Sequence, residues 1–397
     1  MTATHAFPTE QTGPSCPFMP VFGPPQVMFV RGQGTELFDA DGRRYLDFLC
    51  GLAVTSLGHS NQAVTRAITE QAGRLLHVSN FFANDAATRA AIELRALLHE
   101  CTGADGQVFF CNSGAEANEA ALKLARKFGG RGRHVVVSAF GSFHGRTLAT
   151  LAATGQPAKH EPFAPMPAGF RHVAFGDLDA AAASVDQSVS AILIETVQGE
   201  GGVVPADAEY LRGLRRLCDE RGLLLMVDEV QTGFARTGRW FGFEHAGVLP
   251  DVVTMAKAMG NGFPVGAVWA RTEVAEAFQP GDHGSTYSGT AIATAVVSAV
   301  IAEMRRIDAP QLAATQGAYL RNGLEAIPGI VSVRGRGLLL AAELREGADA
   351  KAAYTELLRR GLVTNAVTAT ALRLAPPITV SEAEIDEAVA LIAEVLA

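Results

Sequence analysis

Six short runs of branched and aromatic residues recur through the middle of the chain, at 108–111, 134–138, 191–195, 223–228, 251–255 and 265–270. Stretches of helical periodicity separate them. Runs that are apolar throughout, rather than alternating, predict strands buried on both faces, and their alternation with helices predicts a mostly parallel sheet. Ligands of such sheets gather beyond the carboxyl ends of the strands. Gly114, Glu195, Asp228 and Lys257 all fall at or just past the end of a run. After Tyr287 the pattern changes to a long helix at 291–306, short strands around 330–333 and 338–344, and a final helix from Ser381. Near the start, 27–49 reads as a hairpin with Asp41-Gly42 as its turn signal. The expected organisation is an N-terminal arm and part of a smaller domain (1–60), a large domain (61–290), and the rest of the smaller domain (291–397). No internal repeat is evident.

Composition narrows the partners. At 397 residues, 48% hydrophobic and 19% charged, the chain can bury a large core and has no long polar tract of the disordered kind. A net charge of −8 argues against nucleic acid or an anionic membrane surface, both of which attract concentrated basic charge. The most apolar helical stretch, 291–304, is short and interrupted by Thr294 and Ser298, so no membrane span is expected. Five scattered cysteines, Cys16, Cys50, Cys101, Cys111 and Cys218, read as reduced thiols in a cytosolic protein. The ten histidines form no close pair with a carboxylate at ligand spacing, and no metal is expected. The segment before Arg31 holds six prolines and no continuous apolar stretch, and is expected to be an irregular arm rather than a signal or transit peptide.

Three segments carry chemistry. NSGAEANEAALKLAR (112–126) follows a strand and starts a helix whose Ala117, Ala120, Ala121, Leu124 and Phe128 share one face. Ser113, Gly114 and Ala115 then present a hydroxyl and free N–H groups at the positive end of the helix, which suits a phosphate or an ordinary cap. In LLLMVDEVQTG (223–233) an apolar strand delivers Asp228 to a place where an unpaired carboxylate is costly. Its partner is either a pyridinium nitrogen or the backbone of the next turn. In DVVTMAKAMGNGFPVGA (251–267), Lys257 follows a strand among Met255, Met259 and Phe263. Burial there favours the neutral amine, the form that attacks an aldehyde, whereas a lone lysine at such a position is more often a solvated helix-start residue.

Together with SFHGRT, QGEGG, GSTYSG and LRLAPP, these segments closely resemble the class III (subgroup II) aminotransferases of fold type I, from about Arg31 to the C-terminus. The resemblance implies an α/β fold in which a large domain holds a mostly parallel seven-stranded sheet, with a smaller α+β domain formed by the N- and C-terminal segments. It implies pyridoxal 5′-phosphate as cofactor. Lys257 would be the Schiff-base lysine and proton carrier, Asp228 the partner of the pyridine nitrogen, and Gln231 a neighbour of the ring's 3-oxygen. Phe143 and Val230 would cover the two ring faces. Ser113, Gly114 and Ala115 would hold the phosphate, helped by Ser285 and Thr286 of the GSTYSG segment, with Thr286 reaching across a homodimer. Arg146 and Arg373 would bind substrate carboxylates, and Glu200 would mask Arg373 until glutamate or 2-oxoglutarate enters.

The similarity is strongest to enzymes that move the terminal amine of N2-acetylornithine to 2-oxoglutarate. Leu52 stands where ornithine-using relatives tend to have tyrosine, and an aliphatic residue there favours the acylated donor. Phe82, in SNFFAND, replaces a common tyrosine, while Asn61-Gln62 replaces a usual His-Pro and Thr290-Ala291 a usual Asn-Pro. Succinylornithine, succinyl-diaminopimelate, 4-aminobutyrate and ornithine remain alternative donors. An aminomutase or decarboxylase of the same fold is a further alternative, which the retained Glu200 and Arg373 disfavour.

Overall fold

The computed structural model describes residues 18–23 and 25–397, so most of the expected proline-rich arm, including Cys16, lies outside the described residues. The apolar runs assemble into one seven-stranded sheet of β1 (Gly106–Cys111), β2 (Val135–Ala139), β3 (Phe170–Val173), β4 (Val189–Glu195), β5 (Leu224–Asp228), β6 (Val252–Met255) and β7 (Gly266–Arg271). Their spatial order is β1-β7-β6-β5-β4-β2-β3. The pairs from β6 to β3 are parallel. Only β7 is reversed, antiparallel to both β6 and β1.

Every residue of β4 and β5 is buried, which is why neither shows the alternation of a half-exposed strand. Along β5, Leu224 and Met226 enter one core with Ala117, Ala121 and Leu124 of the helix Gly114–Gly129. Leu225 and Val227 enter the other, with Leu94, Leu97 and Leu214 from helices on the opposite face. The predicted apolar face of the helix Gly114–Gly129 holds except at Phe128, which lies in the last turn and is 41% exposed. The strand β3 was not among the predicted runs. Its sequence, FRHV, is half-buried at an edge of the sheet, and an edge strand needs no continuous apolar run.

The N-terminal strands form a meander rather than a single hairpin: Phe29–Gln33 pairs with Glu36–Asp39, which pairs with Arg44–Asp47. The Asp41-Gly42 turn, with Gly42 at φ +82, joins the second and third. Arg44–Asp47 also pairs with Leu362–Val363, so distant parts of the chain share this sheet. A further sheet is built from Ile330–Arg336, Leu339–Leu344, Ala371–Leu374 and Asn365–Ala366. The helix Ala291–Arg306 forms where its periodicity predicted, and Ser381 caps Glu382–Leu396 through a capping box with Glu384. Asn61 accepts from the N–H groups of Ala63 and Val64 at 3.0 and 3.3 Å, so the unusual Asn-Gln pair serves as a helix cap. No helix among the described residues is long and apolar enough to cross a membrane.

Candidate active site

A cavity of about 240 Å³ opens beyond the carboxyl ends of β4, β5 and β6. Gly114 and Ala115 form one part of its wall, Phe143 and Val230 another, and Asp228 and Lys257 close a third. Ser113 caps the helix Gly114–Gly129 by accepting from Glu116 N–H at 3.2 Å. The N–H groups of Gly114 and Ala115 have no acceptor among the described residues, which leaves them free at the positive end of the helix. A side chain at Gly114 would meet Val230 at 2.8 Å, so this approach requires glycine.

Asp228 ends β5 and is 4% exposed. Its Oδ2 accepts from Asn118 Nδ2 and from His144 Nδ1, each at 2.8 Å, and its Oδ1 accepts from Val230 N–H at 3.0 Å. The turn-capping bond expected of a strand-end aspartate is therefore present, and the second oxygen is separately held. Asn118 is fixed in turn by Thr254 Oγ1, which donates to its Oδ1 at 2.8 Å. The chain reading missed Asn118 and His144. Both are buried polar residues, His144 within SFHGRT and Asn118 on the buried face of the helix after Ser113. Buried polarity, not spacing, was the available signal.

Glu195 lies beside Asp228 in the β4–β5 register. Burial, and then the Asp228 charge, push its carboxyl well above the usual range. Lys257 begins the short 3-10 turn after β6 at φ +48, a left-handed conformation that is costly for a side-chain-bearing residue. Burial lowers its amine below the ordinary lysine value against the pull of the Glu200 carboxylate, and Arg373 lowers it further. The result is a base closer to its neutral form than a surface lysine.

Glu200 lines the cavity, while Arg373, 1% exposed on the strand Ala371–Leu374, lies behind it. Arg373 Nη1 donates to Glu200 Oε1 at 2.5 Å and its Nε to Asn365 Oδ1 at 3.0 Å. Its Nη2 is buried without a partner among the described residues. Burial works to raise the Glu200 carboxyl, but the Arg373 guanidinium outweighs it and holds the group below its usual range. Arg146 also lines the cavity and is exposed, its guanidinium 5.6 Å from the centre of the Phe143 ring. Gln231 lines the same wall, and its Oε1 is buried without a partner.

The cavity thus brings together Gly114, Ala115, Phe143, Arg146, Glu200, Asp228, Val230, Gln231 and Lys257. Ser285 and Thr286 are exposed and do not line it, although Asn112 Nδ2 lies 3.4 Å from Ser285 Oγ. Leu52 and Phe82, expected near the donor, are 39% and 70% exposed and also lie outside its wall. A larger open groove of about 650 Å³, bounded by Arg239, Arg321 and Arg336, contains none of the expected site residues.

The donor set fits a flat phosphorylated aldehyde with a basic ring nitrogen. Free N–H groups suit an anion, Asp228 is fixed by three donors, Gln231 offers an amide, and a lysine of lowered pKa faces the same space. Comparison with known proteins agrees. The family described as aminotransferase class-III matches residues 20–396. An acetylornithine aminotransferase of Corynebacterium efficiens is 45% identical over 382 residues, covering 95% of this chain and 94% of that one. Its counterpart in Caldanaerobacter subterraneus is 44% identical over 379 residues, covering 93% and 94%. Among solved structures, N-acetylornithine aminotransferase from Stenotrophomonas maltophilia K279a superposes with a TM-score of 0.81 at 33% identity, covering 94% of this chain and 96% of that one. Ornithine aminotransferase from Toxoplasma gondii ME49 gives 0.87 at 31% identity, covering 93% and 90%.

Proposed function

This chain belongs to the class III aminotransferases, and from that premise we propose that it moves the terminal amino group of N2-acetylornithine to 2-oxoglutarate, giving N-acetylglutamate 5-semialdehyde and glutamate. Pyridoxal 5′-phosphate, when bound, supplies an electron sink that makes the hydrogen on the donor carbon acidic. The N–H groups of Gly114 and Ala115, beside the Ser113 cap, hold its phosphate. Asp228 keeps the ring nitrogen protonated, and Asn118 and His144 hold the carboxylate in place for it. Phe143 and Val230 bound the ring, and Gln231 neighbours its 3-oxygen. Lys257 anchors the cofactor, and its Nζ, once released as the neutral amine, takes the proton from the donor carbon.

Substrate choice rests on the two arginines. Arg146, exposed at the cavity, takes the carboxylate of N2-acetylornithine and the side-chain carboxylate of glutamate. Arg373 takes the α-carboxylate of glutamate or 2-oxoglutarate after Glu200 swings away. The observation that carries this reading is the Glu200–Arg373 pair at 2.5 Å, whose Glu200 lines the same pocket as Lys257 and Arg146. With the pair closed, a donor that needs only Arg146 fits, and with it open, a dicarboxylate fits.

Two chains form the working unit as a homodimer, in which exposed Ser285 and Thr286 complete the partner subunit's phosphate site. Exposed Phe81, Phe82, Leu76 and Tyr287 offer apolar surface for that contact. Leu52 and Phe82 border the donor pocket in that assembly. The enzyme works in the cytoplasm, consistent with free Cys50, Cys101, Cys111 and Cys218. The test is glutamate formation from N2-acetylornithine and 2-oxoglutarate by cofactor-loaded protein. Absence of glutamate would sink the reading, and a panel of succinylornithine, 4-aminobutyrate and ornithine ranked by kcat/KM would then identify the donor.

A further inference from the structure

Arg236 is fully buried, at 0% exposure, yet among the described residues no carboxylate hydrogen-bonds to it. Its Nη1 donates to Leu338 O at 3.1 Å and to Pro376 O, and its Nη2 donates to Ser56 Oγ at 2.6 Å. Its own carbonyl accepts from Leu338 N–H at 3.0 Å. The two backbones touch so closely here that a side chain at Gly337 would lie 2.5 Å from the Thr237 carbonyl carbon.

These anchor points all surround substrate-facing groups. Arg236 lies within the loop that follows Asp228 and carries Val230 and Gln231. Leu338 leads into the strand Leu339–Leu344, which places Ala341 opposite Arg373. Pro376 follows Arg373 by three residues, and Ile378 N–H donates to Ser56 O at 2.7 Å. One guanidinium therefore ties the Asp228 loop to the two neighbouring backbones on the C-terminal side of Arg373 and to the segment just after Leu52.

A buried cation answered only by carbonyls and a hydroxyl is a poor way to gain stability, because an apolar side chain of similar size avoids its desolvation. A planar fork nevertheless spreads its donors over separate nitrogens held in a fixed geometry and so reaches acceptors that a lysine, with its three donors on one atom, cannot span. What the arrangement supplies is position. We propose that Arg236 is a positioning residue that fixes Arg373 relative to Asp228 and Lys257, and so sets how well the site accepts the α-carboxylate of the oxo-acid. The inference rests on the roles given above to Arg373 and Arg146. It requires an asymmetry: the half-reaction with N2-acetylornithine, which leaves Arg373 paired with Glu200, should not depend on Arg236.

The test uses full-length, cofactor-loaded Arg236→Lys and Ser56→Ala, with each half-reaction measured alone against wild type. Arg236→Lys is expected to raise the KM for 2-oxoglutarate by about tenfold or more, as small misplacements of binding groups do, and to change that for N2-acetylornithine by less than about twofold. Ser56→Ala, which removes one anchor, should shift the 2-oxoglutarate value in the same direction by less. Cofactor absorbance should stay unchanged in both. Equal effects on the two half-reactions, or none, in folded protein would overturn the proposal and make Arg236 merely structural. If Arg236→Lys does not fold, Ser56→Ala decides by the same criterion. Wild type that ignores N2-acetylornithine but accepts another amine refutes the donor assignment instead, and the asymmetry is then read with that amine.

Discussion

Replacing Glu200 by Gln removes the charge that the proposed mask sets against Arg373 while keeping its size and an oxygen that can still accept. The bond it weakens is charge-assisted, 2.5 Å long, with the arginine 1% and the glutamate 31% exposed at their side chains. Hydrogen bonds to charged groups contribute about 1.5–3 kcal/mol. Because Glu200 is partly open to the cavity, we take the lower end, about 1.5 kcal/mol, or roughly a tenfold change in affinity. Glutamate and 2-oxoglutarate must break this pair to bind, so kcat/KM for glutamate should rise about tenfold in the variant. The half-reaction with N2-acetylornithine should fall by a similar factor, since a buried guanidinium without its counter-charge then faces a donor that brings none to it. The ratio of the two, measured by stopped-flow on the bound cofactor, is expected to move about a hundredfold toward glutamate. A ratio within about twofold of wild type, with a normal cofactor spectrum, would refute the gate and with it the reasoning on donor choice. In wild type the mask should hold at neutral pH, because the Glu200 carboxyl titrates below its usual range and the pair is lost only as pH falls through that low value.

Two further outcomes are expected. Lys257→Ala should abolish both turnover and the absorbance of covalently attached cofactor, and a variant retaining both would mean that another lysine is the anchor. Glu229 accepts from Thr232 Oγ1, Gly242 N–H and Phe243 N–H, and burial pushes its carboxyl up to about 7 from 4.5. The folded state therefore keeps a proton that the unfolded chain has lost, a stabilisation complete below pH 4.5 and lost as pH rises through about 7. Across that window wild type should lose about 3 kcal/mol of denaturation free energy that Glu229→Gln does not lose, and parallel pH profiles would contradict the assignment.

Much of this was legible in the chain because the central strands are buried on both faces. The β4, β5 and β6 runs read as interior strands, and the acid and the lysine were readable because Asp228 ends β5 and Lys257 follows β6. The edge strand β3 and the helices Ala309–Glu325 and Ala350–Arg360 were not foreseen. Each is partly exposed, and its weaker apolar pattern is completed by neighbours distant in sequence. The same holds in the site. Arg373 and Glu200 were found through their motifs, but Arg236 and Asn118 matter through contacts with residues over a hundred positions away, at Leu338 and Asp228. A polar residue on an apolar helix face marks Asn118 as needing a partner, but local sequence names the partner of neither.

The reversed strand β7 has a consequence for how this enzyme can change. Because β7 runs back beside β6, the Lys257 segment is a short return link pinned by sheet hydrogen bonds on both sides, not the start of a long helical crossover. An insertion or deletion there would pull one strand out of register and turn its side chains to the wrong core. Leu52 and Phe82, in contrast, sit on exposed segments free of that constraint. On the roles proposed for Lys257, Leu52 and Phe82, the architecture separates a fixed chemical anchor from an adjustable donor surface, so laboratory evolution toward a new amine should accumulate its changes around Leu52 and Phe82 and leave the length of the 256–265 link untouched.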